Sequence, residues 1–312
     1  MLVFFIHGVN TQNTNYADNL IRKIKKSFTY RSQAPDSYFY SSFWGNLYNN
    51  KKHQIISCIE KDYSRACDAH PEYHRRHSGI YRYIKHRNQF INGFLGDFLI
   101  YQNPIRGLEI RRNLYKQLNQ FLLDHPHQKE IHFIAHSLGS IILWDLLFSE
   151  NITEDDPAYI LRKSLEEYKL LSITTMGSPL LFLKQMMDLD FSNVNSSEIN
   201  RNKDESNFAQ KIRWVNIIHS SDIIAYPLKA AIEKEISSNI LFFDQFVWQY
   251  GNAQELGLFT VGSEDLAMIS GASDAHSSYF ANNTDGSITA RIISYNLLGE
   301  INKLYDRCVT PR

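Results

Sequence analysis

Along this chain, short continuous apolar runs alternate with longer stretches whose apolar residues recur every three to four positions. Leu2-Val3-Phe4-Phe5-Ile6 is a run of the first kind, and Ile131 to Ala135, Lys169 to Met176 and Ile212 to Ile218 are predominantly apolar stretches of the same length class. A strand covered by helices on both faces needs such a run. The aromatic stretch Ser37 to Gly45 predicts one more strand, and Leu258-Phe259-Thr260-Val261-Gly262 predicts a short late one. Helical spacing is carried by Tyr16, Leu20, Ile21, Ile24 and Phe28, by Leu108, Ile110, Leu114, Leu118, Phe121 and Leu122, by Tyr159 to Tyr168, and by a final segment from Ile288 to Leu304. Strand and helix in alternation predict an α/β protein with a mostly parallel central sheet flanked by helices.

Two strand ends carry chemistry. The run Ile131 to Ala135 breaks at His136-Ser137-Leu138-Gly139, and Ile141, Ile142, Trp144, Leu146, Leu147 and Phe148 continue at helical spacing. Strand, tight turn and helix with a serine at the apex match a nucleophile elbow, whose usual pattern is Gly-x-Ser-x-Gly. Ala135 replaces the first glycine, the smallest change that keeps a Cβ where strand and helix nearly touch. The first strand ends in His7-Gly8-Val9, where a glycine lets backbone approach a ligand; Val9 and Leu138 are the expected N–H donors to a developing oxyanion.

A serine hydroxyl needs a histidine to take its proton, and that imidazole needs a carboxylate to hold its tautomer. Asp222 lies just beyond the strand Ile212 to Ile218, and His276 in a predicted loop before the final helix. Ser137, Asp222 and His276 are therefore the expected triad. With twelve histidines in the chain, His219 stands as the reserve base, and Asp265 and Asp274 as reserve acids. Asp145, on the elbow helix, reads as structural. His7, Gly8 and His136 are the expected residues around the substrate, with His136 also read as packing or orienting.

Asn46 to about Asn103 differs in character, with Tyr, Arg, Lys and His interspersed and apolar positions at helical intervals. It reads as a helical insertion over the sheet's ligand end. His70, His74 and His77 within it read as a solvated basic face rather than a metal site, because Pro71 marks a helix start and no carboxylate follows at ligand spacing. No metal or cofactor is expected. Leu189 to Lys211 turns polar and predicts a surface loop.

The ordered motifs Phe-Ile-His-Gly-Val, Phe-Trp-Gly, Gly-Asp-Phe-Leu-Ile-Tyr, Ala-His-Ser-Leu-Gly, Met-Gly-Ser-Pro-Leu, Asn-Ile-Ile-His-Ser-Ser-Asp with Tyr-Pro-Leu, and Ala-His-Ser-Ser-Tyr-Phe resemble the α/β-hydrolase superfamily. The likeness is closest to its bacterial lipase-like and esterase-like serine hydrolases, and covers nearly the whole chain. It implies an α/β-hydrolase fold in one domain over 1–312, with 46–103 as a helical cap and a sheet beginning at the strand before the oxyanion turn. It implies cleavage of a lipid-like or small-molecule carboxylic ester through Ser137, His276 and Asp222. An inactive interaction module of the same fold and an acyltransferase using the same serine are the alternatives. Asp97 and Tyr101, in the Gly-Asp-Phe-Leu-Ile-Tyr motif, are expected to pin the cap to the core.

Composition adds limits. In 312 residues, 43% hydrophobic and 13% aromatic, there is ample material for a large core, and a formal net charge of zero gives no general reason to expect nucleic acid as a partner. Three cysteines without a Cys-x-x-Cys pair imply neither a disulfide framework nor a zinc site. No run is long and apolar enough for a membrane span, and the start lacks signal-peptide features. A cytoplasmic location is the expectation.

Overall fold

The computed structural model describes residues 1–29, 35–70, 95–150, 152–196 and 211–305. Six strands, β1 (Leu2–Ile6), β2 (Tyr38–Ser41), β3 (Glu130–His136), β4 (Lys169–Met176), β5 (Ile212–His219) and β6 (Ile240–Val247), form one all-parallel sheet in the order β2-β1-β3-β4-β5-β6. The chain leaves β1 toward β2 and then crosses back to place β3 on the other side of β1. Connections that depart in opposite directions open a crevice beyond the carboxyl ends of the two strands. The turns after β1 and β3 border it.

Alternation along β1 sorts the helices. Leu2, Phe4 and Ile6 face one layer, built from α4 (Pro104–Asp124), α5 (Leu138–Leu147) and α6 (Pro157–Leu165). Val3 and Phe5 face the other, built from α1 (Asp18–Thr29) and α10 (Thr284–Leu298). Right-handed crossovers require this division, because β1 to β2 runs opposite to β3 to β4. Between β3 and β5, Trp144, Phe148, Phe191 and Trp214 pack ring on ring at 4.4–6.5 Å. Each fully buried large apolar side chain contributes about 1.5–3 kcal/mol.

Caps explain several boundaries. Asn103 accepts from the Arg106 N–H ahead of α4, Asp156 from the Ala158 N–H ahead of α6 while paired with Arg111 at 2.7 Å, and Asn283 from the Gly286 N–H ahead of α10. The last of these starts the final helix at Thr284, earlier than Ile288, and Gly299, left-handed at φ 69°, ends it at Leu298.

Three points in the last third differ from what the sequence predicts. Leu258–Gly262 is not a strand: α8 (Ala253–Thr260) begins where Asn252 accepts from the Glu255 N–H, and Gly262, at φ 78°, closes it. The sixth strand is instead Ile240–Val247. Its pattern is interrupted by Asp244 and Gln245, which are spent on partners: Asp244 accepts from Asn216 Nδ2 and from the Leu228 and Lys229 N–H groups, and Gln245 donates to the Leu304 carbonyl. A third correction concerns His276, which sits in the last turn of a helix, α9 (Glu264–Ser278), not in a loop. Its small polar neighbours suggest a turn, but Ala267, Ala272 and Ala275 give that helix a narrow buried side.

Of the 46–103 segment, α2 (Asn49–Ala69) and α3 (Gly96–Gln102) are helical. His74 and His77 lie outside the described residues; His70 is exposed just after α2. The polar stretch from Leu189 is less loose than expected at its start: Asn195 donates to the Glu235 carbonyl and accepts from the Ser237 N–H. Residues 197–210 lie outside the described part. No helix among the described residues is long and apolar enough to cross a membrane.

The Gly-Asp-Phe-Leu-Ile-Tyr motif forms α3 and braces two site-bearing elements. Asp97 accepts from the Asn10 N–H at 2.7 Å in the turn after β1, and Tyr101 donates to Asp145 Oδ2 at 2.5 Å on α5. Burial raises the Asp145 carboxyl above its ordinary pKa, and the Tyr101 hydroxyl and Arg111 hold it back. Replacing Tyr101 with Phe leaves a buried carboxylate short of a donor. Stability should fall by about 1–3 kcal/mol wherever Asp145 is ionised. Because protonated Asp145 no longer needs the donor, urea denaturation across pH should show the gap closing as pH drops through the raised carboxyl pKa.

Candidate active site

The turns after β1 and β3 meet almost backbone to backbone. A Cβ on Gly8 would lie 2.4 Å from Ser137 Cβ, and one on Gly139 would lie 2.5 Å from the Ile6 carbonyl oxygen. No side chain fits at either position. Ser137 itself takes φ 54° and ψ −127° at the junction of β3 and α5, a conformation that costs a non-glycine residue about 1–3 kcal/mol. The strain is held by neighbours. The Ser137 N–H donates to the Met176 carbonyl at 2.9 Å, and Ser140 Oγ donates to the Ser137 carbonyl at 2.6 Å while contacting Ser178 Oγ at 2.8 Å.

His276 Nε2 lies 2.9 Å from Ser137 Oγ, and its Nδ1 lies 2.9 Å and 3.1 Å from the two carboxylate oxygens of Asp222. With Nδ1–H donating to Asp222, Nε2 is left to accept the serine proton. Asp222 follows β5 and is 5% exposed. Burial pushes its carboxyl pKa up, but donors from His276, the Ile224 N–H and the Tyr279 hydroxyl outweigh burial and hold it below the ordinary value. Gly177, at φ 56°, completes the packing: a Cβ there would stand 3.0 Å from Asp222 Oδ2 and 3.1 Å from His276 Cε1.

Two backbone N–H groups adjoin the two turns in sequence. Val9 follows Gly8, Leu138 follows Ser137, and among the described residues neither N–H donates to a protein acceptor. His7 is occupied by the fold: its Nε2 accepts from the Trp44 N–H at 3.1 Å, its Nδ1 lies 2.7 Å from the Gly8 carbonyl, and its ring stacks on Trp44 at 4.9 Å. An Nδ1–H donated to the Gly8 carbonyl fixes the plane of the Gly8–Val9 peptide, and hence where the Val9 N–H points. His136 is also engaged. Burial, reinforced by the neighbouring His276 ring, pushes it down to about 3, so it is neutral and donates Nε2–H to the His276 carbonyl at 2.8 Å.

The reserve residues lie elsewhere. His219 accepts from the Ser221 N–H on Nδ1 and faces Asp285 with Nε2 at 3.8 Å. Asp274 accepts from Asn252 on the outer side of α9, and Asp265 is exposed in its first turn. Tyr279 is the residue that sequence reasoning passed over. Its hydroxyl donates to Asp222 Oδ2 at 2.9 Å and accepts from the His219 N–H at 2.9 Å; burial, then the Asp222 charge, raises its own pKa well above the ordinary value. The signal was present, since Tyr279 stands three residues after His276, a spacing that puts two side chains on one helix face.

No protein-family model matches the chain, and no curated protein matches it.

Tyr279→Phe removes one donor from a buried carboxylate, a loss of roughly 1.5–3 kcal/mol for a hydrogen bond to a charged group. The Asp222 titration midpoint, followed by carboxyl carbon NMR, should move up by about a unit or more. A carboxyl whose folded pKa is depressed adds stability above its unfolded pKa and loses it as pH falls through the folded one. The variant should therefore be less stable than the parent at neutral pH, with the gap narrowing in strong acid to the cost of the His219 N–H left without its acceptor.

Proposed function

We propose that this chain is a serine hydrolase that cleaves a carboxylic ester of lipid-like or other acyl type, and that its fold is an α/β-hydrolase fold with residues 46–103 as cap. The observation that carries the reading is the continuous relay from Ser137 Oγ through His276 to Asp222, with each link at 2.9 Å. The N–H groups of Val9 and Leu138, which follow Gly8 and Ser137 in the chain, have no protein acceptor among the described residues. The β2-β1-β3 order, with the serine turn and the His-Gly turn on either side of the crevice, supports the same reading.

In this scheme Ser137 Oγ attacks the ester carbonyl carbon as its proton passes to His276 Nε2. The Val9 and Leu138 N–H groups receive the oxyanion of the tetrahedral intermediate, each worth on the order of 3 kcal/mol. Asp222 stabilises the imidazolium. Collapse expels the alcohol, which takes the proton from His276 and leaves an acyl-serine. Water, deprotonated by His276, then attacks the acyl carbon; the acyl–Oγ bond breaks, His276 returns the proton to Ser137 Oγ, and the acid departs.

The lipid-like character rests on exposed apolar side chains in the segments that follow β4 and β5. Phe182 and Met186, on α7 (Leu180–Met186), and Ile223 and Tyr226, beyond Asp222, are 40–78% exposed on segments that leave β4 and β5 at the edge bearing the site. Phe182 and Tyr226 meet edge to face at 5.1 Å. Exposed apolar surface gathered at one edge is suited to acyl chains.

A fluorophosphonate probe should label the protein at Ser137, and Ser137→Ala should abolish labelling without unfolding. With short-chain p-nitrophenyl esters, Asp222→Asn should lower kcat by about 10⁴-fold. His276→Ala should do at least as much damage, and His219→Ala far less. Labelling without ester hydrolysis would favour acyl transfer, and a folded protein that does not label would leave an inactive module.

A further inference from the structure

The formal charge of the whole chain is zero, yet one cavity is surrounded by cations. It has a volume of about 780 Å³ and lies on the outer side of the α1 and α10 layer, and none of its lining residues belongs to the Ser137 site. Arg22, Lys23 and Lys26 enter it from α1, Arg291 and Tyr295 from α10, and Lys303 from the helical turn that follows. Positive side chains from three separate segments thus converge on one concavity. The hydrophilic face of a single helix would instead spread them over a convex surface.

Their partners account for only part of this charge. Lys23 is committed to structure: its ammonium donates to the Ala281 carbonyl at 3.1 Å, the Asn283 carbonyl at 2.7 Å and Ser287 Oγ at 2.9 Å. All three are neutral oxygens, so they hold the walls together without cancelling the charge. Lys303 pairs with Glu300 at 2.8 Å, and Arg22 donates to Asn19. The other nearby acid, Asp285, is buried and faces His219, and its charge offsets part of that on Lys23. Among the described residues, Lys26 and Arg291 have neither an acidic nor a hydrogen-bonding partner. Gathering like charges around a hollow raises their mutual energy, and an anion inside it relieves that cost while making charge-assisted hydrogen bonds.

We propose that this cavity is a second binding site, for a small polyanion bearing two or more phosphate groups, met by Arg22, Lys26, Arg291 and Lys303 between walls fixed by Lys23. The ligand is either free in solution or the headgroup of an anionic lipid. The proposal is independent of the ester-cleavage reading, because the cavity shares no residue with the site around Ser137.

Inorganic pyrophosphate should bind the full chain saturably in calorimetry, raise its thermal midpoint by mass action and lose affinity as salt is added. Charge reversal at two exposed positions, Lys26→Glu with Arg291→Glu, should weaken binding by about tenfold or more, and the neutral pair Lys26→Gln with Arg291→Gln by less. Circular dichroism and Ser137 labelling should stay at parental levels in both. Phosphatidylcholine vesicles with and without cardiolipin, whose headgroup carries two phosphates, form the second arm. Binding of pyrophosphate alone identifies a soluble ligand, and binding of the anionic vesicles alone, sensitive to the same substitutions, identifies a headgroup. If neither probe binds, or if both bind the charge-reversed protein as they bind the parent, the proposal is wrong.

Discussion

The contact between the turn after β1 and the turn after β3 is the constraint on which the rest of the structure depends. Gly8 lies against Ser137, and Gly139 against the carbonyls of Ile6 and His7, at separations that leave no room for a methyl group. Such proximity needs adjacent parallel strands whose connections depart to opposite faces, and the β2-β1-β3 order supplies them. It also forces the serine into a backbone region that ordinary residues avoid. That strain persists because the Met176 carbonyl, Ser140 and the buried face of α5 over-determine the turn.

Around this contact the polar groups are arranged in two layers. The inner layer is Ser137, His276 and Asp222. The outer layer holds it in place: His136 on the His276 carbonyl, Tyr279 and the Ile224 N–H on Asp222, His7 on the Gly8 carbonyl, and Asp97 on the Asn10 N–H. Further out, Asn216 joins Thr175, Asp244 and the Tyr226 carbonyl, securing the loop that follows Asp222. Nearly all of these groups are buried, where a polar atom without a partner is costly. Their mutual satisfaction therefore selects one arrangement of the strand ends.

How much of this can be read from the chain depends on the range of each signal. β1 announces itself as an unbroken apolar run, and β3, β4 and β5 as predominantly apolar stretches in which polar residues such as His132, Ser172, Arg213 and Asn216 stand singly. The turns at Gly8 and Ser137 are legible because small residues flank them in sequence. β6 is not, since Asp244 and Gln245 interrupt it for the sake of partners on other segments. α8 is mistaken for a strand because the apolar run Leu258 to Val261 outweighs the Asn252 cap that sets its start. The pairing of His276 with Ser137 could be proposed by chain order alone, but Tyr279 and Asp97 act on groups 57 and 87 positions away. Spacing cannot reveal contacts at that distance. The basic cavity is invisible for a different reason: a zero net charge averages away cations that only folding brings together.

The geometry of His276 also bears on the order in which the site comes into being. Ser137 and Asp222 sit at the ends of strands within the sheet, whereas the histidine arrives on α9, 139 residues after the serine and 54 after the aspartate. During synthesis the elbow can emerge and pack long before its base exists, and contacts of such long sequence separation are the slow ones to form. A chain that lacks α9 lacks the imidazole that Ser137 Oγ meets at 2.9 Å. The Ser137–His276–Asp222 relay is therefore among the last contacts the fold can make, and it is completed only when the last quarter of the polypeptide has docked.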